Sequence, residues 1–229
     1  MIAEPNIAEI AALMGERSRA AMLVALLGKE ALPATELASQ AYISPQTASS
    51  HLSKLVAGNL LTVEQHGRHR YYRLASDAVG RAIESLAIIA PAPRAAHNTQ
   101  EDERLKTVRY ARTCYDHMAG KVAIAIAGAL EQREFLMKSG RAYEVTESGK
   151  EWFRNLRIDT DNLRASRRTF ALQCLDWTER QYHISGALGA ALLDRLLSLK
   201  YIARARTPRC IRVTVEGKRA LNRLLNLNL

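Results

Sequence analysis

The sequence predicts a mainly α fold carrying small β-hairpins (α+β), split between an N-terminal and a C-terminal domain. Three observations predict it. Apolar residues recur at helical spacing along most of the chain. Short β-prone runs flank polar, glycine-bearing tips, as at Leu60–Gln65 and Arg70–Leu74. The pattern breaks at Pro91-Ala92-Pro93 and the polar run through Glu103. The expected division is therefore 1–90, a linker at 91–103, and 104–229.

Composition narrows the functional classes. Of the 229 residues, 48% are apolar, enough for real cores in one large or two small domains. Lys and Arg number 33 against 23 Asp and Glu, a net charge of +10. Such an excess favours an anionic partner, nucleic acid before a membrane surface. No apolar run approaches the roughly 20 residues needed to span a bilayer. The N-terminus lacks the charged and apolar regions of a secretory signal. Three cysteines, an odd number and widely spaced, do not suggest a disulfide framework. A reducing, cytoplasmic setting is expected.

The elements follow in order. Ile7, Ile10, Leu13 and Met14, then Met22, Leu23, Leu26 and Leu27, lie at helical spacing, and residues 15–19 break them into two helices. Gly28 ends the second helix and Pro33 marks a turn. Residues 35–41 form a short helix, Tyr42-Ile43-Ser44 a tight turn, and residues 44–55 a further helix. Two short helices joined by so short a turn are a helix-turn-helix. Gly58-Asn59 ends the last helix. Leu60–Gln65 is a strand, His66-Gly67-Arg68-His69 a hairpin tip, and Arg70–Leu74 the return strand. The hairpin is a wing beside the helix. A helix over about 76–90 stops at Pro91.

The helix at 44–55 carries the functional signal. Ser44 is a suitable N-cap and Pro45 suits the first helical position. At about 100° per residue, Ala48, Leu52 and Leu55 share one side. Gln46, Ser49, Ser50 and Ser53 share the other, flanked by Thr47 and Lys54. Small hydroxyl and amide groups on such a face suit a major groove, where they bond base edges and phosphates. The wing tip adds His66, Arg68, His69 and Arg70, suited to phosphates or a narrow minor groove. The expected partner is double-stranded DNA, contacted by Ser44, Gln46, Thr47, Ser49, Ser50, Lys54 and these four wing residues.

Residues 7–90 resemble the ArsR family of bacterial winged-helix regulators. The resemblance rests on Glu36-Leu37-Ala38, on Ile43-Ser44 with Ser49-Ser50-His51-Leu52 and Leu55, and on Gly58-Asn59-Leu60-Leu61. Gly67-Arg68, Tyr71-Tyr72 and Leu74 complete it. It implies a homodimer that binds a palindromic operator, represses transcription and leaves when an effector binds. It also implies a dimer interface from the first and last helices of the domain, about 6–14 and 77–90. Metal-sensing members often carry Glu-Leu-Cys-x-Cys; here Ala38 and Gln40 replace the thiols. A second family metal site uses Asp, His and Glu on the last helix, which here offers Asp77 and Glu84 but no histidine.

The second half repeats a pattern. Cys114-Tyr115-Asp116-His117 and Gly120 lead into an apolar helix, a hairpin ending Val145-Thr146, then Gly149-Lys150 and a helix. Cys174, Asp176, His183 and Gly186 lead into another, with Val213-Thr214 and Gly217-Lys218. The expectation is a C-terminal domain of two repeated winged-helix-like halves, effector-sensing or dimer-supporting. Residues 111–117 and 175–180 also resemble segments of longer ArsR-like regulators, extending the resemblance over most of the chain.

Cys114 and His117, three apart, are expected on one helix face. If the halves pack about a pseudo-twofold axis, Cys114 and Cys174 approach each other. With His117 and His183 they are candidate ligands for zinc, copper(I) or a trivalent metalloid, or a redox-sensing thiol pair. Plain packing is the competing role for a cysteine on an apolar element. Tyr110, Tyr115, Trp177 and Tyr182 are candidates to line a pocket for a small organic effector. Cys210, expected on a strand, stands among Arg204, Arg206, Arg209 and Arg212, which read as a solvated basic wing with a phosphate contact as the alternative.

The leading function is a sequence-specific DNA-binding repressor. Its two recognition helices would enter successive major grooves about 34 Å apart. An effector would favour a dimer with the wrong helix separation. A winged-helix module for non-specific DNA binding or protein contacts is the alternative. An enzyme is not expected. Residues 104–229 contain no Gly-rich nucleotide turn, no Gly-x-Ser-x-Gly and no His-Glu-x-x-His.

Overall fold

The computed structural model describes residues 5–28, 31–67, 69–91 and 99–229. The chain divides into two units, Met1–Leu86 and Ala87–Leu229.

The first unit opens with helix α1 (Ile7–Gly15), capped by the Asn6 side chain, which accepts the Glu9 N–H. Helix α2 (Arg17–Ala25) follows after a single residue, Glu16. A 3-10 turn at Leu26–Gly28 ends it. Strand β1 (Leu32–Pro33) precedes helix α3 (Ala34–Gln40), and helix α4 (Pro45–Ala57) completes the helix-turn-helix. Strands β2 (Leu61–His66) and β3 (His69–Leu74) form the wing, and helix α5 (Asp77–Ile89) follows. The sheet order is β1-β3-β2.

Two expectations are corrected here. Pro33 does not mark a turn: it lies in β1 and pairs opposite Tyr71, with Leu32 opposite Tyr72. Proline is tolerated there because β1 is an edge strand. The wing tip is also shorter than expected. His66 and His69 are paired strand residues, and only Gly67 and Arg68 lie between them. Gly67, at φ +60°, supplies the left-handed backbone that a two-residue hairpin needs. Arg68 lies outside the described residues.

The core of this unit joins α2, α3, α4 and the wing through Met22, Leu23, Leu26, Leu37, Leu52, Leu55, Leu61 and Tyr72. Each fully buried leucine contributes about 1.5–3 kcal/mol. Helix α1 buries none of its residues, and it leaves Ile7 and Ile10 exposed.

The first helix wholly within the second unit is α6 (Thr99–Tyr110), which starts inside the stretch expected as linker. Then come strands β4 (Arg112–Cys114) and β5 (His117–Ala119), helix α7 (Lys121–Gln132), strands β6 (Leu136–Ser139) and β7 (Ala142–Val145), and helices α8 (Glu147–Asn155) and α9 (Thr160–Ala165). Strands β8 (Leu172–Leu175) and β9 (Tyr182–Ser185), helix α10 (Gly186–Ser198), strands β10 (Ile202–Arg204) and β11 (Ile211–Val213), and helix α11 (Val215–Leu225) complete it. Strands β6-β7-β8-β9 form one antiparallel sheet, while β4-β5 and β10-β11 are two-stranded.

Cys114 and His117 are therefore not on a helix. They face each other across the β4–β5 hairpin, whose turn is Tyr115-Asp116 with Tyr115 at φ +56°. A three-residue spacing fits one helical turn and a two-residue β-turn alike. Cys210 is bridged to Arg112 just before β11 rather than within it. Among the described residues, no helix is long and apolar enough to cross a membrane.

The core of the second unit is one cluster, including Val122, Ile126, Leu130, Tyr143, Phe153, Leu188, Leu196, Ile202 and Leu221. Two threonines fix how its hairpins turn into helices. Thr146 Oγ1 accepts the Gly149 N–H at 3.0 Å and donates to the Glu134 carbonyl at 2.7 Å. Thr214 Oγ1 accepts the Gly217 N–H at 2.9 Å and donates to the Lys200 carbonyl at 2.8 Å. The glycines let the chains approach: a Cβ on Gly217 would lie 1.8 Å from the Tyr201 carbonyl oxygen.

Gly217→Ala is thus expected to destabilise this unit by about 1–3 kcal/mol, the cost of overpacking. Gly128→Ala, where a Cβ meets nothing within 4 Å, should be neutral or stabilising by up to about 1 kcal/mol. Urea unfolding followed by tryptophan fluorescence checks both, since Trp152 and Trp177 are the chain's two tryptophans and both lie in this unit.

Candidate functional site

Helix α4 presents the predicted polar face. Ser44 caps it, its hydroxyl accepting the Thr47 N–H at 3.2 Å and bonding the Thr47 hydroxyl at 2.9 Å. Pro45 occupies the first helical position and Gly58 the C-cap. Ala48, Leu52 and Leu55 are buried. Gln46, Thr47, Ser49, Ser50, Ser53 and Lys54 are all exposed. Ser53 donates to the Ser49 backbone carbonyl, which leaves Gln46, Ser49 and Ser50 as exposed amide and hydroxyl groups on that face.

On the wing, His66, His69 and Arg70 are exposed. Glu64, which sequence reasoning did not single out, lies 2.8 Å from Arg73 and 3.6 Å from His66. Part of the wing's positive charge is thereby engaged within the hairpin.

A polar cluster that the sequence reading missed sets the pose of α4. The Glu16 carboxylate caps α2, accepting the Ser18 and Arg19 N–H groups at 2.9 Å. These bonds, with His51 and Arg19 nearby, outweigh its partial burial and hold the carboxyl below its ordinary value. Arg19 donates to the carbonyls of Leu13 and Ala12 at the end of α1 and lies 3.3 Å from His51 Nδ1 on α4. His51 Nδ1 is 3.4 Å from Glu16. The glutamate between two helical runs was the available signal, since an acidic residue there can cap.

In the C-terminal unit, Cys114, His117, Cys174 and His183 are brought together. One ligand atom from each lies within 4.8 Å of the others. The two Sγ atoms are 3.9 Å apart and the two Nε2 atoms 3.1 Å. Cys114, His117 and His183 are buried and Cys174 partly so. None of the three cysteines is in a disulfide. The pairs come from two hairpins. Cys114 stands opposite His117 across β4–β5, and Cys174 opposite His183 across β8–β9.

Each histidine turns its other nitrogen toward an aspartate. His117 Nδ1 is 3.2 Å from Asp116, and His183 Nδ1 is 3.7 Å from Asp176, beyond hydrogen-bond reach. Burial opposes charge on His117, but Cys114 and Asp116 outweigh it and push the ring up to about 9. Burial and the adjacent His117 hold His183 well below the ordinary histidine value.

Asp176 anchors this arrangement. It is fully buried and accepts from Arg112 at 2.9 Å, the Gly120 N–H at 2.7 Å, the Thr178 N–H and hydroxyl at 2.8 and 2.7 Å, and the Glu179 N–H at 3.1 Å. Burial alone would raise its pKa, but the Arg112 guanidinium and these donors hold it well below the usual carboxylate range. Asp116 is bonded in turn by Arg168.

Trp177 lies against Arg112, whose guanidinium carbon is 4.7 Å from its ring centroid. Neither the groove lined by Lys150, Arg154 and Arg157 nor the cleft lined by Met118, Ile126 and Leu192 involves Tyr110, Tyr115, Trp177 or Tyr182. Arg209 is not a free solvated charge, since it donates to the Thr113 carbonyl at 3.0 Å.

Comparison with known proteins agrees with the first unit. Residues 14–64 match a family model described as a helix-turn-helix domain. A protein of Bacillus subtilis (strain 168), named as the uncharacterized HTH-type transcriptional regulator YdfF, is 45% identical over 225 residues, covering 98% of this chain and 99% of its own. Among solved structures, NolR from Sinorhizobium fredii is 31% identical over 38% of this chain and 86% of its own, with a TM-score of 0.35. HlyU from Vibrio cholerae N16961 is 28% identical over 37% and 94%, with a TM-score of 0.33.

The buried Asp176 pair yields a stability prediction. Arg112→Met leaves a buried carboxylate without its counter-charge and should cost about 3–5 kcal/mol. Arg109→Ala removes an exposed partner of Glu179 and should cost under about 1 kcal/mol. Urea unfolding of the two variants measures the difference.

Proposed function

Because the chain belongs to the family of helix-turn-helix transcriptional regulators, we propose that it is an ArsR-type repressor which binds a palindromic operator as a homodimer and is released by an effector. The DNA-binding part is a winged helix. The observation that carries the finer reading is α4 itself. Its apolar side is spent on the core, and its polar side is a row of exposed, small hydrogen-bonding groups beside a basic wing. That division of labour suits a major groove.

In this reading Gln46, Ser49 and Ser50 meet base edges. Ser44, Thr47 and Lys54 position the helix on phosphates, and His66, Arg68, His69 and Arg70 hold the flanking backbone. The dimer reading is supported by α1, which buries nothing, and by exposed Ile7, Ile10 and Leu86 at the positions the family resemblance assigns to the interface. Two copies set the recognition helices about 34 Å apart, one helical turn of DNA.

Residues 104–229 are the effector-sensing or dimer-supporting part, built as two winged-helix-like halves. The recurrence of hairpin, helix, hairpin, helix supports this, as do the matched Thr146 and Thr214 caps. With Ala38 and Gln40 in α3, release does not run through the thiol pair common in the family.

Binding to DNA from upstream of its own operon, compared with scrambled DNA at fixed salt, tests the reading. Equal affinities would overturn specific recognition. Gln46→Ala and Ser50→Ala should each lose about 1–3 kcal/mol on the operator only. Arg70→Ala should weaken operator and scrambled DNA alike, with a shallower salt dependence. The reverse pattern would mean that helix and wing exchange roles.

A further inference from the structure

We propose that Cys114, His117, Cys174 and His183 form a closed tetrahedral zinc site that staples the β4–β5 and β8–β9 hairpins of the C-terminal unit together. The proposal is independent of the DNA-binding reading. It chooses one ion and one role for residues that the sequence offered as candidate ligands or a redox pair, and they lie far in sequence from Ala38 and Gln40.

The geometry is the first argument. With Zn–S near 2.3 Å and Zn–N near 2.0–2.1 Å, a tetrahedron places its two sulfurs about 3.8 Å apart and its two nitrogens about 3.3 Å apart. The observed Sγ–Sγ and Nε2–Nε2 separations are 3.9 and 3.1 Å. The like pairs are already spaced as they would be around one ion, and all four ligand atoms lie within 4.8 Å of one another. Each hairpin supplies one cysteine and one histidine as a directly opposed cross-strand pair, so both side chains leave the same face.

The orientation of the rings is the second argument. Carboxylates face both Nδ1 atoms, Asp116 at 3.2 Å and Asp176 at 3.7 Å. Asp116, within hydrogen-bond distance, favours the N–H form of His117 Nδ1 and leaves its Nε2 lone pair pointing into the cluster; the Asp176 charge, at 3.7 Å, favours the same form of His183 without bonding it. Two inward lone pairs 3.1 Å apart repel unless something positive lies between them. A proton can serve, and so can a metal ion. A metal ion also binds both sulfurs beside it. Asp116 and Asp176 are in turn held by Arg168 and Arg112, so the His117 ring is bonded to a fixed support and the His183 ring faces one.

Charge and softness select the ion. Two thiolates and a divalent cation sum to zero, which suits a site in which His183 is fully buried and Cys114 nearly so. An S2N2 tetrahedron without oxygen donors excludes magnesium and calcium and favours zinc. Four protein ligands and burial leave no position for a reacting water, so the site is structural. Binding releases the thiol protons and any proton held between the two Nε2 atoms.

The test uses the full chain, reduced and folded. Elemental analysis should find one zinc per chain. After chelation, cobalt(II) titration should give the visible ligand-field bands of a tetrahedral site and thiolate-to-cobalt charge transfer, saturating at one equivalent. Removing zinc should lower the melting temperature read by tryptophan fluorescence. Competition with a chromogenic chelator should show zinc affinity falling more than about tenfold in Cys174→Ser and His183→Asn, and by roughly 10–100-fold in Asp116→Asn. Cys210→Ser should leave it unchanged. If a variant does not fold, the wild-type cobalt spectrum decides. The proposal fails if the folded wild type takes up no stoichiometric metal, or if bound cobalt is octahedral. It fails equally if Cys174→Ser binds as tightly as wild type, or if Cys114 and Cys174 oxidise to a disulfide under conditions in which no metal binds.

Discussion

The carboxylate of Asp176 is the constraint on which the C-terminal unit depends. An ionised group at zero exposure cannot persist without compensation. Five donors converge on it, and they come from separate places: Arg112 from β4, Gly120 from the start of α7, and Thr178 and Glu179 from the turn after β8. Satisfying one group therefore fixes three pieces of backbone relative to one another. Gly120 is part of the same constraint. Its φ of +88° and the 2.7 Å approach of a Cβ to the Arg109 carbonyl leave no room for another residue. An apolar replacement of such a network can be equally stable. What the ionic version adds is direction, because the same carboxylate edge also faces His183.

The second aspartate repeats the logic with the partners exchanged. Asp176 follows β8 and is held by Arg112 of β4; Asp116, in the β4–β5 turn, is held by Arg168, just ahead of β8. Each aspartate then faces the histidine of its own hairpin. Crossed ion pairs of this kind bring the hairpins into register before any ligand is considered. They explain why two cysteines 60 residues apart end 3.9 Å from each other.

In the N-terminal unit the corresponding device is smaller and more exposed. Glu16, Arg19 and His51 join the end of α1, the start of α2 and one flank of α4. Leu13 packs so closely on Gly58 that a Cβ there would lie 2.3 Å from its Cδ1. Helix α4 is thus gripped by its apolar side, one flank and its C-terminal end. Its polar side carries no structural duty, and that is what makes it available to a groove.

The sequence by itself determined the features that close within a few residues. Ser44, Pro45 and Gly58 delimit α4, since capping is local chemistry. Alternating β-prone runs around Gly67 specify the wing, and the recurring Val-Thr-x-x-Gly-Lys marks where hairpins turn into helices. The residue types of the cluster were legible too, as cysteines and histidines paired in order along the chain. Tertiary structure alone decided the rest. Pro33 joins a sheet because β3 offers it an edge 38 residues later. Cys114 and His117 stand across a hairpin because Tyr115 adopts a left-handed backbone, whereas their spacing alone fits a helix equally well. Arg112 and Asp176 are paired 64 residues apart, and Glu16 reaches His51 as well as its local cap. Local hydrogen bonds and periodicity can be read from neighbours in sequence; burial and charge compensation depend on which distant groups the fold brings within a few ångströms.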